Sequence, residues 1–176
     1  IVSRDWSSDV CSSDLGDIMD FFTADICDEN SDKVQVLNPQ YKSYGGANKC
    51  QGEIITIKLF EDNGALVSLL RDNQGDGKIV VVDVQGDYCA VVGDKLMGFA
   101  HKNNFAGIVV NGYVRDTLTT ATIPVALYAL GTYPFKSQKK ADAELNSTLE
   151  FGNVKFTPNE YIYCDVDGII TTKSKI

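Results

Sequence analysis

Two stretches decide the fold, Lys78-Ile79-Val80-Val81-Val82-Asp83 and, further along the chain, Gly107-Ile108-Val109-Val110. Neither run alternates apolar with polar residues, which is the pattern of a strand covered on both faces. Between them, residues 94–104 place Leu96 and Phe99 on one face of a predicted helix. Strand, helix and strand within about 30 residues form a βαβ unit. A parallel or mixed sheet follows.

Further elements are predicted on both sides of this unit. Leu66, Leu69 and Leu70 have the i, i+3, i+4 spacing of a helix with one buried face. Near the start of the chain a short helix is predicted, with Thr23 or Asp25 as its N-cap. Additional strands are predicted at residues 52–60, 123–127, 149–156, 161–165 and 168–172. The predicted fold class is α/β, a single layered domain with a mixed, largely parallel β-sheet flanked by helices.

Composition excludes several classes of protein. The 176 residues carry 24 acidic against 16 basic side chains, a formal charge of −8, which argues against a nucleic-acid-binding surface. His101 is the single histidine of the sequence, so neither a His-rich zinc site nor a Ser-His-Asp triad is expected. No run approaches the roughly 20 apolar residues that a membrane span needs. The first residues lack the apolar stretch of a secretory signal, so export is not expected. The five cysteines lack any CxxC pair, which is typical of a reducing cytoplasm.

Residues 1–18, IVSRDWSSDVCSSDLGDI, differ from the rest of the chain. They contain the single tryptophan, Trp6, and show neither helical nor strand periodicity. We expect a non-native or disordered leader here, with one α/β domain over residues 19–176 that begins at Met19. The lysines between residues 136 and 140 are predicted to lie in a solvated loop.

Two segments following the apolar runs are candidate binding residues, because ligands of open α/β sheets collect beyond the carboxyl ends of the strands. The first is Gly93-Asp94-Lys95-Leu96, where a glycine precedes the N-terminus of a predicted helix. The free N–H groups at that helix start can hold a carboxylate, or Asp94 can simply be the N-cap. The second is Arg115-Asp116, which suits a carboxylate together with a hard divalent ion, or is a surface ion pair.

Several motifs in order resemble the RraA-like family. They are TADICD (23–28), YGG (44–46), ITIKLFEDN (55–63), VVVD (80–83), VGDKL (92–96), GYVRD (112–116) and DGII (167–170). That family includes proteins called regulator of ribonuclease activity A and the class II 4-hydroxy-4-methyl-2-oxoglutarate aldolases. The resemblance covers residues 23–172 and implies a fold of the swivelling-domain type.

The aldolase members carry a G-[DEN]-x-L turn, with an Arg and an Asp 22 and 23 positions after its glycine. Arg115 and Asp116 stand at these distances from Gly93. The resemblance therefore assigns Gly93, Asp94, Lys95, Leu96 and Arg115 to substrate and Asp116 to a divalent metal, Mg²⁺ or Mn²⁺. It implies a homotrimer acting on a small 2-oxo acid, with Arg115 and Asp94 as the catalytic residues. The implied reactions are retro-aldol cleavage of 4-hydroxy-4-methyl-2-oxoglutarate and decarboxylation of oxaloacetate, both through pyruvate enolate. The base expected in the cleavage is a metal-activated water near Asp94.

One departure and one alternative accompany this interpretation. Aldolases of the family usually continue Arg-Asp-x-x-Glu, whereas Thr119 stands three positions after Asp116, so a supporting carboxylate is missing. This departure weakens the case for aldol cleavage more than that for decarboxylation. The alternative function is that of a regulator that binds and inhibits ribonuclease E, since an acidic surface can mimic RNA.

Overall fold

Helices and strands cover most of the chain from Thr23 to Thr172. In this computed structural model the structure is described for residues 20–60, 62–138 and 142–176, so the predicted leader at residues 1–18 lies outside the described residues. The helices are α1 (Thr23–Glu29), α2 (Gly64–Asp72), α3 (Asp94–Lys102) and α4 (Thr117–Thr120). The strands are β1 (Gln35–Val36), β2 (Lys42–Ser43), β3 (Cys50–Leu59), β4 (Ile79–Asp83), β5 (Ala90–Val92), β6 (Gly107–Val114), β7 (Ala126–Thr132), β8 (Ala143–Leu145), β9 (Leu149–Phe151), β10 (Val154–Phe156), β11 (Tyr161–Cys164) and β12 (Ile169–Thr172). None of these helices is long and apolar enough to cross a membrane.

The main sheet is mixed, which confirms the predicted α/β class. Its strands follow the order β1-β12-β11-β3-β4-β6-β7-β2, with β5 beside β6 and β8 beside β3. Parallel pairing joins β3, β4, β6 and β7 and also joins β5 to β6. The flanking strands β1, β12, β11, β8 and β2 pair antiparallel. The parallel centre is therefore the βαβ unit that the two apolar runs predict.

The sheet curls back on itself. Its order begins with β1 and ends with β2, yet only residues 37–41 separate these two strands in the chain. An extended residue spans at most about 3.6 Å, so this short connection holds the two ends of the sheet within roughly 20 Å of each other. The curl encloses an inner apolar cluster that includes Val81, Tyr128 and Phe156.

Both faces of the central strands are buried. Val80 and Val82 point to the cluster formed with α2 and α3, where Leu66 and Met97 are fully buried. The alternate residues of β4, represented by Val81, belong to the inner cluster. All five residues of β4 are buried, which explains why its sequence shows no polar alternation.

Two predicted strands differ from the structure. The strand predicted at residues 123–127 begins only at Ala126, because residues 120–125 form turns closed by hydrogen bonds from Ile123 N to Thr120 O and from Val125 N to Ile123 O. The strand predicted at 149–156 is the hairpin β9–β10. Gly152 and Asn153 both have positive φ, 57° and 66°, as the central residues of a two-residue type I′ turn require.

The predicted N-cap of α1 is wrong. Phe22 occupies the cap position, and Thr23 is the first helical residue. The cap is supplied from a distant part of the chain, since Asp165 accepts hydrogen bonds from the Thr23 N–H and the Thr23 hydroxyl, each 2.7 Å long. A carboxylate at a helix N-terminus satisfies free N–H groups and complements the helix dipole.

Candidate active site

A cleft of about 520 Å³ lies where β5 and β6 end. Its floor is β5, and its walls come from the start of α2, the turn into α3, the residues that follow β6, and the segment 135–138. This is the carboxyl edge of parallel strands, where the sequence places the candidate residues. The described residues that line the cleft are Asn63, Val67, Ala90, Val91, Val92, Gly93, Asp94, Lys95, Leu96, Arg115, Asp116, Phe135, Lys136, Ser137 and Gln138.

Arg115 and Asp116 follow the last residue of β6. The Arg115 N–H donates to Val92 O at 3.0 Å, which extends the pairing with β5 to the edge of the cleft. Arg115 Nε lies 3.5 Å from Asp116 Oδ2, and the two side chains are 39% and 41% exposed. The pair is therefore within reach of both each other and a ligand in the cleft.

Asp116 has a left-handed backbone, with φ 56° and ψ 34°. Its carbonyl oxygen accepts hydrogen bonds from the Thr119 and Thr120 N–H groups at 2.9 Å, so α4 starts directly after it. Left-handed residues other than glycine are uncommon, and such strained positions cluster at functional sites. Here the conformation reverses the chain at the end of β6 while the Asp116 side chain stays in the cleft.

Gly93 allows the turn and the Arg-Asp pair to approach each other. A Cβ atom at this position would lie 2.6 Å from Asp116 Oδ2 and 3.5 Å from Arg115 Cγ. Gly93 is also the N-cap of α3 and has no side chain to occupy the first N–H groups of that helix. Asp94 Oδ1 accepts a hydrogen bond from the Lys95 N–H at 2.7 Å. The helix N-terminus and its dipole therefore face the cleft.

The structure brings the predicted site residues together. Gly93, Asp94, Lys95, Leu96, Arg115 and Asp116 all line this cleft. Asp94 is not the N-cap that the plainer interpretation assigned, because it occupies the first helical position after Gly93. Thr119, which stands where aldolases of the family carry Glu, is exposed on α4 and contributes the backbone hydrogen bond to Asp116 described above.

Sequence reasoning missed two parts of the cleft. Asn63 lies at the start of α2, and its Nδ2 donates to Val91 O at 2.9 Å, which anchors β5. Residues 135–138 form the wall beyond β5, held by hydrogen bonds from Ala90 N to Phe135 O and from Ser137 N to Ala90 O. Asn63 is the last residue of the ITIKLFEDN motif, which was a signal for it. The contact between residues 90 and 136 leaves no local signal in the sequence.

The donor set of the cleft fits a hard divalent cation. Asp116 and Asp94 supply carboxylate oxygens, although no group of three or more His, Cys, Asp or Glu side chains is found within residues 20–60, 62–138 and 142–176. Mg²⁺ is commonly held by one or two carboxylates while keeping several waters, so a complete protein cage is not required. Gly93 leaves room for the Asp116 carboxylate, so Asp116 is the residue suited to hold the ion.

Residues 23–171 match the family described as RraA-like, Aldolase/RraA. The chain belongs to this family. An Aromatoleum aromaticum protein provisionally named 4-hydroxy-4-methyl-2-oxoglutarate aldolase is 42% identical over 159 residues, covering 90% of this chain and 99% of the relative.

Two solved structures share the fold. The RNA-processing inhibitor RraA of Thermus thermophilis has a TM-score of 0.85 at 31% identity, covering 90% of this chain and 96% of that one. A Geobacillus kaustophilus protein described as an S-adenosylmethionine: 2-dimethylmenaquinone methyltransferase has a TM-score of 0.84 at 34% identity, covering 89% and 97%. The three relatives have three different names, so the fold alone does not decide function and the site residues must.

Proposed function

We propose that the protein is a divalent-metal-dependent lyase acting on 2-oxo acids. It releases pyruvate from 4-hydroxy-4-methyl-2-oxoglutarate by retro-aldol cleavage, from oxaloacetate by decarboxylation, or from both. The single observation that carries the proposal is the convergence of Arg115, Asp116 and the Gly93 turn in one cleft. The provisional aldolase name of the Aromatoleum aromaticum relative supports it.

The chain's own residues account for substrate binding and for charge stabilisation. The N–H groups at the start of α3 are suited to the substrate carboxylate, because a helix N-terminus favours anions. Both reactions leave negative charge on the 2-oxo oxygen as pyruvate enolate forms. Arg115 is permanently charged and fork-shaped, so it can donate hydrogen bonds to that oxygen as the charge develops. Held by Asp116, a Mg²⁺ or Mn²⁺ ion would supply Lewis-acid chemistry at the same oxygen.

The two reactions differ in their need for a base. Retro-aldol cleavage requires removal of the proton on the C4 hydroxyl, and Asp94 at the edge of the cleft can orient a water for this step. Decarboxylation forms the same enolate by loss of CO₂ and needs no such base. Because Thr119 brings no carboxylate, we expect decarboxylation to be the more robust of the two activities.

Metal dependence tests the proposal. Pyruvate release is measured from both substrates with Mg²⁺ or Mn²⁺, after EDTA, and after the metal is restored, against blanks without protein that correct for spontaneous decarboxylation of oxaloacetate. We expect EDTA to abolish the activity and added metal to restore it. Full activity in chelator, or a covalent imine trapped by borohydride, would contradict the metal-dependent mechanism.

The second candidate is a regulator of RNA processing that binds ribonuclease E. It is favoured by the fold shared with the Thermus thermophilis inhibitor at 31% identity. The two functions are distinguished by a ribonuclease E pull-down of the wild type, Arg115→Ala and Asp116→Ala, run beside the lyase assay. Equal capture of all three proteins without any turnover would establish the regulator in place of the lyase.

A further inference from the structure

The cleft has a second cationic wall that the proposed chemistry does not use. Lys136 lines it from the segment 135–138, whereas Arg115 and Lys95 belong to the segments around the α3 N-terminus. The sequence places Lys136 in a solvated loop, but the backbone on both sides of it is hydrogen-bonded to Ala90. The backbone of Lys136 is therefore held against β5, although the Lys136 side chain is exposed.

The position of Lys136 relative to Arg115 follows from the strand pairing. β5 has β6 along one edge, and a parallel bridge joins Ala90 to Lys136 along the other. Neighbouring strands lie about 4.8 Å apart, so β6 and the segment 135–138 are separated by roughly 10 Å across β5. Lys136 lies opposite Ala90 and the Arg115 N–H bonds to Val92 O, so the two residues are also offset along β5. Both residues line the same cleft from opposite sides of β5, an arrangement suited to a short dicarboxylate.

Charge and shape agree with such an occupant. The proposed function takes one carboxylate of a 2-oxo acid to bind at the Gly93 turn, where the α3 N-terminus and Arg115 lie. The opposite wall is lined by Lys136 and by Phe135, whose side chain is 65% exposed. A carbon chain with a second, distal carboxylate matches this combination of an apolar surface and a cation.

We propose that Lys136 binds the distal carboxylate of the substrate and thereby selects dicarboxylic over monocarboxylic 2-oxo acids. This inference rests on the proposed function, because it takes the 2-oxo end of the ligand to lie at the Gly93 turn.

Two unreactive ligands of equal chain length test the proposal. 2-Oxoglutarate has the distal carboxylate, and 2-oxopentanoate has the same five carbons without it. Binding is measured calorimetrically with excess Mg²⁺. Wild type is expected to prefer 2-oxoglutarate by about two- to fivefold, the upper part of the range for a lysine–carboxylate pair open to solvent. Lys136→Met should remove this preference and Lys136→Arg should keep it.

Lys102→Met is the matched control, because Lys102 is exposed in the last turn of α3 and its loss changes the net charge equally. It should keep the preference of the wild type. Equal binding of the two ligands by wild type, or an equal loss in both methionine variants, overturns the role of Lys136 and leaves the 2-oxo acid site intact. If wild type binds neither ligand, the proposed function fails, and this inference fails with it.

Discussion

Asp116 combines a strained backbone with a charged side chain at the mouth of the cleft. Its φ of 56° is tolerated by Asn and Asp more readily than by other residues, and least by β-branched ones. Asp116→Asn should therefore leave the unfolding free energy within about 0.5 kcal/mol of wild type while removing the Mg²⁺-dependent activity. Asp116→Val should also lower the unfolding free energy, by about 1–2 kcal/mol, because a β-branched residue tolerates this backbone conformation least. Urea unfolding and the pyruvate assay measure the two effects, and a stable, fully active Asp116→Asn protein would exclude the metal role.

Gly93 and Gly98 offer a matched pair of substitutions at the same helix. A Cβ atom at Gly93 meets Asp116 Oδ2 at 2.6 Å, whereas one at Gly98 has nothing within 4 Å. Gly93→Ala should displace the Asp116 carboxylate and lower kcat/KM by at least about tenfold, or about 1.4 kcal/mol. Gly98→Ala should leave the activity unchanged and add about 0.5–1 kcal/mol of stability, because alanine is the better helix former. Equal activity of both variants would show that the close approach at Gly93 is unimportant.

The individual site residues could be predicted because they follow buried strands. Gly93 and Arg115 both stand just after an apolar run, and the sheet brings such positions to one edge. Lys136 and Asn63 could not be assigned in this way. Their contacts with Ala90 and Val91 join distant parts of the chain, and such contacts follow from strand order rather than from local pattern.

At the scale of elements, Asp165 connects α1 to the turn between β11 and β12. Besides Thr23, it accepts hydrogen bonds from the N–H groups of Asp167 and Gly168, at 2.9 and 3.2 Å. Burial by itself would raise the pKa of this carboxyl, but the hydrogen bonds from Thr23, Asp167 and Gly168 outweigh burial and lower the pKa below its ordinary value of 3.8. The folded protein therefore favours the ionised form.

This pKa shift predicts a pH-dependent contribution to stability. The unfolded chain binds the proton at a higher pH than the folded protein does, so the contribution is complete above the ordinary pKa of 3.8 and is lost as the pH falls through the folded-state value. Asp165→Asn should lower the free energy of unfolding by about 1–3 kcal/mol at neutral pH, because it weakens hydrogen bonds to buried donors. Urea unfolding of both proteins should show this difference shrinking as the pH is lowered towards about 3. A difference that stays constant with pH would contradict the assignment.

The elements themselves were predictable to different degrees. β4 and the first half of β6 are fully buried and have apolar runs that identify them directly. The hairpin β9–β10 is hidden in a continuous strand-like pattern, and only Gly152-Asn153 marks its turn. The cap of α1 was mispredicted because it comes from Asp165, 142 residues further along the chain.

At the scale of the molecule, the inner cluster holds the curled sheet together. Phe156 is fully buried there, and its ring lies 4.6 Å from that of Phe151. Phe156→Ala should lower the free energy of unfolding by about 3–5 kcal/mol, because truncation leaves a cavity that the surrounding strands cannot fill. Phe135→Ala, at a ring that is 65% exposed, should cost less than about 0.5 kcal/mol. Urea unfolding of both variants tests this, and a similar cost at the two positions would contradict the enclosed core.

The curl of the sheet is the feature that the sequence predicted least. β1 and β2 are two residues long, too short to give a period-two signal, yet they form the two ends of the sheet. Closure of the ends depends on pairing between distant segments, such as Val36 with Ile170 and Ser43 with Tyr128. The α/β class follows from local patterns, and the curvature follows from the strand order.

If this cleft stabilises an enolate, the Arg115→Ala substitution should slow the reaction. The measurement is kcat for oxaloacetate decarboxylation at saturating Mg²⁺, for wild type and Arg115→Ala side by side. Removing a donor aimed at developing negative charge typically costs about 10²–10³ in kcat, or about 2.7–4 kcal/mol. Enolate stabilisation by this cleft predicts a loss of this size with an unchanged melting temperature, because Arg115 is 39% exposed and its truncation empties no core position. A wild type without turnover, or a variant with full turnover, would contradict it.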